Sequence, residues 1–318
     1  MTNDTSMFSG ISAVVPVYNS AATLPELAGR IARVLAGPFE LILVNDGSQD
    51  QSWNVICALT EKHTWIRGIN LMRNYGQHNA LLAGIRAAQY EVIVTLDDDL
   101  QNPPEEIPKL LQKLAEGYDV VYGIPSQQQH GFWRNMASWV VKLALQSAMG
   151  VEVARSVNAF RAFRAQARAA FSDYGGSFVS IDVLLSWGAG NFGVVPVQHD
   201  PRRVGPSNYT FGKLVAHALN MITGFSGLPL RLASYVGFAF AAFGTGVLVF
   251  VVLRYLIEGS SVQGFAFLAS TIAIFSGVQL FTLGIFGEYL ARLYFRMMGT
   301  PPYVVRADSR RGDVPPDE

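Results

Sequence analysis

The sequence predicts an α/β protein: a mostly parallel sheet covered by helices on both faces, followed by a C-terminal two-helix transmembrane hairpin. Three observations predict it. Short apolar runs alternate with helical patterns through about the first 124 residues. Two long uncharged apolar runs fill the last third. Three polar loops follow three of the short runs, at the strand ends where open parallel sheets bind ligands.

The elements follow in order. Ile11-Ser12-Ala13-Val14-Val15 reads as a buried strand. Leu24, Leu27, Ile31, Val34 and Leu35 recur at helical spacing. Leu41-Ile42-Leu43-Val44 is a second strand, and Val55 to Leu59 lies in a second helix. Ile66 to Leu71 is a strand, Ala80 to Ala88 a helix, and Val92-Ile93-Val94-Thr95-Leu96 a strand. A helix from about Pro104 to Glu116 and the strand Val120-Val121-Tyr122 follow. Strand, helix, strand at this spacing argues for a parallel sheet with both faces covered.

Leu232 to Leu253 is a run of 22 residues without a formal charge, and Gly264 to Gly287 one of 24. A bilayer-spanning helix needs about 20 such residues. The hinge Glu258–Gln263 contains neither Lys nor Arg. Arg231 precedes the first run, and Arg292, Arg296 and Arg306 follow the second. The positive-inside rule therefore places both termini in the cytoplasm. Tyr255, Tyr289 and Tyr294 fit interfacial positions. No signal peptide is expected at the N-terminus. The Pro-, Asp- and Arg-rich tail from about Ala307 to Glu318 is expected to be disordered. The expected domains are 1–209 (cytoplasmic, catalytic), 210–230 (interfacial helix), 231–291 (transmembrane hairpin) and 292–318 (cytoplasmic tail).

Composition excludes several classes. Only 15% of residues are charged, and the formal net charge is +0, so no basic excess drives nucleic-acid binding. A single cysteine, Cys57, excludes a disulfide framework and a Cys-based zinc site. The Gly-x4-Gly-Lys-Ser/Thr phosphate loop is absent.

The first loop is Pro16-Val17-Tyr18-Asn19, the second Asn45-Asp46-Gly47-Ser48-Gln49-Asp50, and the third Asp97-Asp98-Asp99-Leu100-Gln101-Asn102-Pro103-Pro104-Glu105. Three adjacent carboxylates repel one another unless a cation sits among them. In an extended chain, Asp97, Asp99 and Gln101 point to one face and Asp98 to the other. The three then present hard oxygen ligands to Mg²⁺ or Mn²⁺, with substrate phosphate completing the shell. That implies a nucleoside diphosphate. Between these loops and the hairpin, His130 to Gly150 reads as an amphipathic helix. Its Arg134, Ser138 and Lys142 lie on one stripe beside Phe132, Trp133, Met136 and Trp139, an arrangement suited to holding a lipid phosphate at a membrane surface.

These loops resemble the polyisoprenyl-phosphate glycosyltransferases of glycosyltransferase family 2, with GT-A fold, a group that includes dolichyl-phosphate mannose synthases and undecaprenyl-phosphate glucosyl and formamido-arabinose transferases. Arg73 to Leu81, Gly117 to Gly123, Arg202 to Tyr209 and Gly287 to Arg292 fit the same group. The resemblance runs from about residue 11 to 306. It implies that Pro16, Tyr18, Asn19 and Asp46 contact the nucleoside, and that Asp97, Asp99 and Gln101 hold the metal and the donor diphosphate. It also implies that Arg134, Ser138, Arg202 and Ser207 lie near the phosphates. The group often has an Arg after the glycine matching Gly123, where this chain has Ile124, and an Asp shortly before the pair matching Phe160-Arg161, where it has Arg155-Ser156-Val157-Asn158-Ala159. The implied activity is inverting sugar transfer from a nucleotide-sugar donor, a UDP-sugar in preference, to polyprenyl phosphate at the cytoplasmic face of the bilayer. A homo-oligomer is compatible with it. The alternative of another class is a non-catalytic scaffold or partner subunit of a lipid-linked sugar flippase. A processive synthase is disfavoured because the chain contains no Arg-Trp pair.

Overall fold

The computed structural model describes residues 7–125, 157–176, 179–200, 228–258 and 265–311. The chain forms two compact units, Met1–Ala218 with Gly299–Glu318, and Leu219–Met298.

The first unit holds an eight-stranded sheet. Its strands are β1 (Ile11–Val17), β2 (Phe39–Asn45), β3 (Ile66–Leu71), β4 (Val92–Thr95), β5 (Val120–Pro125), β6 (Arg161–Arg164), β7 (Phe192–Val197) and β8 (Val305–Asp308). Their order across the sheet is β7-β5-β6-β4-β1-β2-β3-β8. The pairs β1–β2, β1–β4, β2–β3 and β5–β7 are parallel, while β6 runs antiparallel between β4 and β5 and β8 antiparallel to β3.

The helices of this unit are α1 (Leu24–Val34), α2 (Ser52–Lys62), α3 (Gln77–Ala87), α4 (Ile107–Ala115) and α5 (Ile181–Gly188), with 3-10 turns at Pro104–Glu106 and Ala165–Phe171. Successive strand residues alternate between the two faces. Ala13, Val15, Leu41, Leu43, Val92 and Val94 pack with Leu24, Leu27 and Ile31 of α1 and with Leu110 and Leu111 of α4. Val14, Ile42, Val44 and Ile93 pack on the opposite side with Leu81, Leu82 and Ile85 of α3 and Leu184 of α5. A Cβ on Gly84 would lie 2.4 Å from the Val14 side chain, so a glycine is what lets α3 sit this close to β1.

Three findings correct the sequence reading. First, β6, β7, β8 and α5 are additional elements. β7 contains Gly193 and Pro196, which argue against a strand, but it lies at the sheet edge, where proline is tolerated. Second, the tail is ordered from Ala307 to Arg311 rather than disordered. Ala307 and Asp308 are buried in β8, and Asp308 ion-pairs with Arg67 of β3 at 2.7 Å. Third, residues 299–311 group with the sheet unit. His130–Gly150 and the segment 210–227 lie outside the described residues.

The second unit contains two helices, α6 (Leu228–Glu258) and α7 (Phe265–Met297). Leu230–Arg254 and Ile274–Tyr294 are long and apolar enough to cross a membrane, with mean hydropathies of 2.4 and 1.3. Most of their described large apolar side chains are not buried within the protein: Phe238 is 77% exposed. This argues against a pair of soluble core helices. Phe240 meets Phe275 edge-on at 5.7 Å, and Glu288 pairs with Arg292 one turn later at 2.7 Å.

Candidate active site

The loops after β1, β2 and β4 meet at the carboxyl end of the sheet and are joined by hydrogen bonds. The Tyr18 N–H donates to Asp98 Oδ2 at 3.1 Å, and the Thr23 hydroxyl to the Asp98 carbonyl at 2.7 Å. The Asn19 N–H donates to Ser48 Oγ at 3.0 Å, and the Gln49 N–H to Asn19 Oδ1 at 2.8 Å. Asn19 has φ 54°, a left-handed conformation that asparagine tolerates better than most residues. The β1 loop is thus held from both sides. Tyr18 and Asn19 are exposed there, and Pro16 is buried within β1.

Asp46 is buried. Its Oδ1 accepts the Tyr75 N–H at 2.7 Å and its Oδ2 the Gly76 N–H at 2.9 Å. Burial raises its pKa, and the two backbone donors work against that rise. Gly47 has φ +65°, and a Cβ there would lie 2.5 Å from the Arg73 and Asn74 backbone. Asp46 and Gly47 together therefore fix the loop that starts α3.

The acidic loop departs from the extended path. The chain turns at Asp98 and Asp99, and the buried Leu100 has φ 59°. Simple alternation of side chains across an extended strand is thus replaced by a turn. Asp98 points to the β1 loop. Burial pushes its pKa up, hydrogen bonds from Ser20 and Tyr18 oppose this, and the charge of Asp99 adds to the rise. Asp97 Oδ1 accepts from Gln77 Nε2 at 2.6 Å, and Asp99 Oδ1 accepts the Gln101 N–H at 3.1 Å.

Gln77 is the site residue that sequence reasoning missed. It lies inside the Arg73–Leu81 stretch, but an uncharged amide gave no chemical signal. Its neighbour His78 accepts the Ile181 N–H at Nδ1, 3.3 Å away, which ties the start of α3 to the start of α5.

The second half of the acidic string is structural. Glu105 takes a bidentate contact from Arg30, at 3.0 and 2.6 Å. The buried Glu106 accepts the Gln198 N–H at 3.2 Å, and the buried Asn102 pairs with His199 at 3.3 Å. The Asp200 N–H donates to the Gln101 carbonyl at 2.8 Å. Arg202, two residues on, lies outside the described residues, as do Ser207, Arg134 and Ser138.

Behind β4 a buried polar network braces the site. Arg161 is 1% exposed. It donates to Thr95 Oγ1 at 3.0 Å and ion-pairs with Asp182, which also accepts from the Tyr122 hydroxyl at 3.1 Å. Burial, reinforced by the Asp182 charge, pushes the Tyr122 pKa well up.

Among the described residues no group of three or more His, Cys, Asp or Glu forms a metal cage. Asp97 and Asp99 remain two hard oxygen donors on one loop. That donor set fits Mg²⁺ or Mn²⁺, which typically take one or two carboxylates and leave the other positions to water and substrate phosphate.

The family profile described as Glycosyl transferase family 2 matches residues 12–175, just over half of the chain and all three loops. The chain belongs to glycosyl transferase family 2. Full-length relatives in this family are similar throughout. The undecaprenyl-phosphate 4-deoxy-4-formamido-L-arabinose transferase of Shewanella sediminis is 37% identical over 302 residues, covering 93% of this chain and 91% of that protein. The enzyme of the same name from Pseudomonas aeruginosa is 36% identical over 93% of this chain and 89% of its own length. That of Enterobacter sp. is 34% identical over 96% and 95%. Among solved structures, glucosyl-3-phosphoglycerate synthase from Mycobacterium tuberculosis with Mn²⁺, UDP-glucose and phosphoglyceric acid matches with a TM-score of 0.51 at 18% identity. That match covers 69% of this chain and 78% of that one. At this identity the likeness shows the fold, a GT-A-like α/β domain with a mostly parallel sheet. As a family 2 member the chain is a glycosyltransferase.

Proposed function

We propose that this glycosyltransferase moves a sugar from a nucleotide donor, a UDP-sugar in preference, to undecaprenyl phosphate at the cytoplasmic face of the membrane, inverting the anomeric centre. One observation carries the reading. Similarity to relatives named as undecaprenyl-phosphate sugar transferases extends over 89% or more of their length, through α6 and α7 as well as the catalytic sheet. The two apolar helices supply the bilayer anchor, and the arginines at the two ends of the hairpin, with no Lys or Arg in its hinge, support cytoplasmic termini.

In this reading Tyr18 and Asn19 bear on the nucleoside, from a loop held by Asp98 and Ser48. Asp46 acts through the Tyr75–Gly76 backbone that it fixes. Asp97, Asp99 and Gln101 hold Mg²⁺ or Mn²⁺, which when bound offsets charge on the departing diphosphate. A lipid-phosphate oxygen forms the new bond to sugar C1 as the C1–O bond to the nucleoside diphosphate breaks. The attacking oxygen is already ionised at neutral pH, so the step needs no proton transfer. Arg134, Ser138, Arg202 and Ser207 are the proposed phosphate contacts. The 1–209 segment carries the chemistry, 210–230 lies at the interface and 231–291 forms the anchor.

The test is detergent-purified full-length protein with undecaprenyl phosphate, Mn²⁺ or Mg²⁺, and a panel of radiolabelled nucleotide sugars. Labelled lipid formed from a UDP-sugar supports the reading. Labelled lipid only from GDP-mannose overturns the donor assignment. No lipid product from any donor overturns the function and favours the scaffold alternative.

A further inference from the structure

A cavity of about 280 Å³ lies where the end of α3 meets the β3–β8 pair, apart from the loops of the active site. Its walls include Arg67, Arg86, Arg311, Asp308, Ile69 and Tyr303. Three guanidinium groups thus share this space with one carboxylate.

The guanidinium groups are not equally engaged. Arg67 is used up on the protein: Nε and Nη2 grip Asp308 at 3.1 and 2.7 Å, and Nη1 donates to the Ala87 carbonyl at 2.9 Å. Arg86 is different. Its Nη2 donates to the Tyr174 carbonyl at 2.7 Å, and its guanidinium lies 5.8 Å from the Tyr303 ring centre. Its Nε is buried with no hydrogen-bond partner among the described residues, and no carboxylate there pairs with it. Its charge thus has no counter-ion among the described residues, and an anion in the cavity would supply one. Arg311 adds a second cation, 74% exposed and 3.9 Å from Asp308. Arg310, next along the chain, is turned away to Glu40 at 3.0 Å.

We infer that this cavity binds a phosphate ester of a small organic group, with Arg86 and Arg311 on the phosphate and Ile69 and Tyr303 against the organic part. The apolar walls, Ile69 and Tyr303, favour an ester over a bare anion. At roughly 30 Å³ of liquid per water molecule, the space exceeds what one phosphate ion fills. Guanidinium pairs are the usual recognition element for phosphate oxygens. The ester is either a soluble metabolite or the headgroup of an anionic lipid; the two share this chemistry.

The experiment uses full-length protein in phosphatidylcholine nanodiscs, with glycerol 3-phosphate as soluble probe, and a parallel set in phosphatidylglycerol nanodiscs. Calorimetry reads the soluble probe, and the thermal midpoint reads the lipid. Arg311→Glu removes the exposed cation without touching the core; Arg86→Gln removes the second. A tenfold or greater weakening of glycerol 3-phosphate binding in Arg311→Glu supports a soluble ester. Absence of soluble binding, together with a phosphatidylglycerol-dependent rise in midpoint that Arg311→Glu abolishes, supports a lipid headgroup. Binding of neither probe, or binding that Arg311→Glu leaves unchanged, overturns the inference, whatever Arg86→Gln does.

Discussion

Gln77 Nε2 donates to Asp97 Oδ1 at 2.6 Å, across 20 residues of chain. The contact couples the first turn of α3, itself set by Asp46, to the acidic loop. It orients a carboxylate that the proposed chemistry assigns to a metal ion.

Gln77→Ala is expected to raise the Mn²⁺ or Mg²⁺ concentration for half-maximal transfer by about tenfold, the scale of one hydrogen bond to a charged group. Nucleotide-sugar KM at saturating metal should move much less. A metal titration of the variant decides it: an unchanged midpoint separates Gln77 from the metal site.

Asp99→Asn should leave the fold intact and remove most transfer, because a neutral amide replaces an anionic ligand. Near-normal rates at limiting metal would remove Asp99 from the metal shell. Circular dichroism of the same preparation checks the fold.

Asp98 should behave in the opposite sense for stability. Its raised pKa means that the folded protein holds this proton more tightly than the unfolded chain. The resulting penalty is absent below the unfolded value near pH 4 and grows as pH rises through the folded value. Asp98→Asn keeps an oxygen for the Tyr18 N–H, and in metal-free buffer should raise the thermal midpoint at pH 7 by about 2 °C. The gain should vanish toward pH 4. A lower midpoint at pH 7 would show that the charge itself is stabilising.

The Arg67–Asp308 pair should carry part of the stability of the sheet edge. Burial alone would raise the Asp308 pKa, but hydrogen bonds from Arg67 and Arg310 hold it below its usual value. Its contribution is therefore full above the unfolded value near pH 4 and is lost as pH falls through the folded value. Arg67→Leu should cost about 2–3 kcal/mol, less than the roughly 3–5 kcal/mol of a fully enclosed pair, because solvent reaches one side. Denaturant titration of wild type and variant at pH 7 measures it.

Membrane topology is testable with single cysteines in a Cys57→Ser background. Ser260→Cys should react with impermeant reagent from outside the cell, and Arg311→Cys only after the inner face is opened. Ser309 is a poor inner probe because its hydroxyl accepts the Gly68 N–H at 3.0 Å. Labelling of both sites from one side would overturn the hairpin.

Periodicity revealed the five parallel-sheet strands β1 to β5 and the four helices between them, because each carries a regular apolar pattern that packs into the core. The strand Arg161–Arg164 escaped it: four residues bounded by arginines carry no apolar run, and only the pairing with β4 and β5 makes them a strand. Val305–Asp308 escaped for the same reason, since one of its two buried residues, Asp308, is held by an ion pair to a residue 241 positions away in sequence. At the site, the carboxylates announced themselves by charge, but the turn at Leu100 depends on a left-handed residue packed into the core. Local sequence rules do not anticipate that choice.

The return of β8 to β3 sets an order of events during synthesis. The ribosome completes β3 some 240 residues before its last partner emerges. At about 5–20 residues per second, the unpaired flank of β3 waits roughly 12–48 s. Both apolar helices are made within that interval, so in the proposed topology the hairpin is available to the bilayer before the sheet can close. An open strand flank is a template for pairing with other chains, and a nascent chain delayed at the membrane would present it for longer.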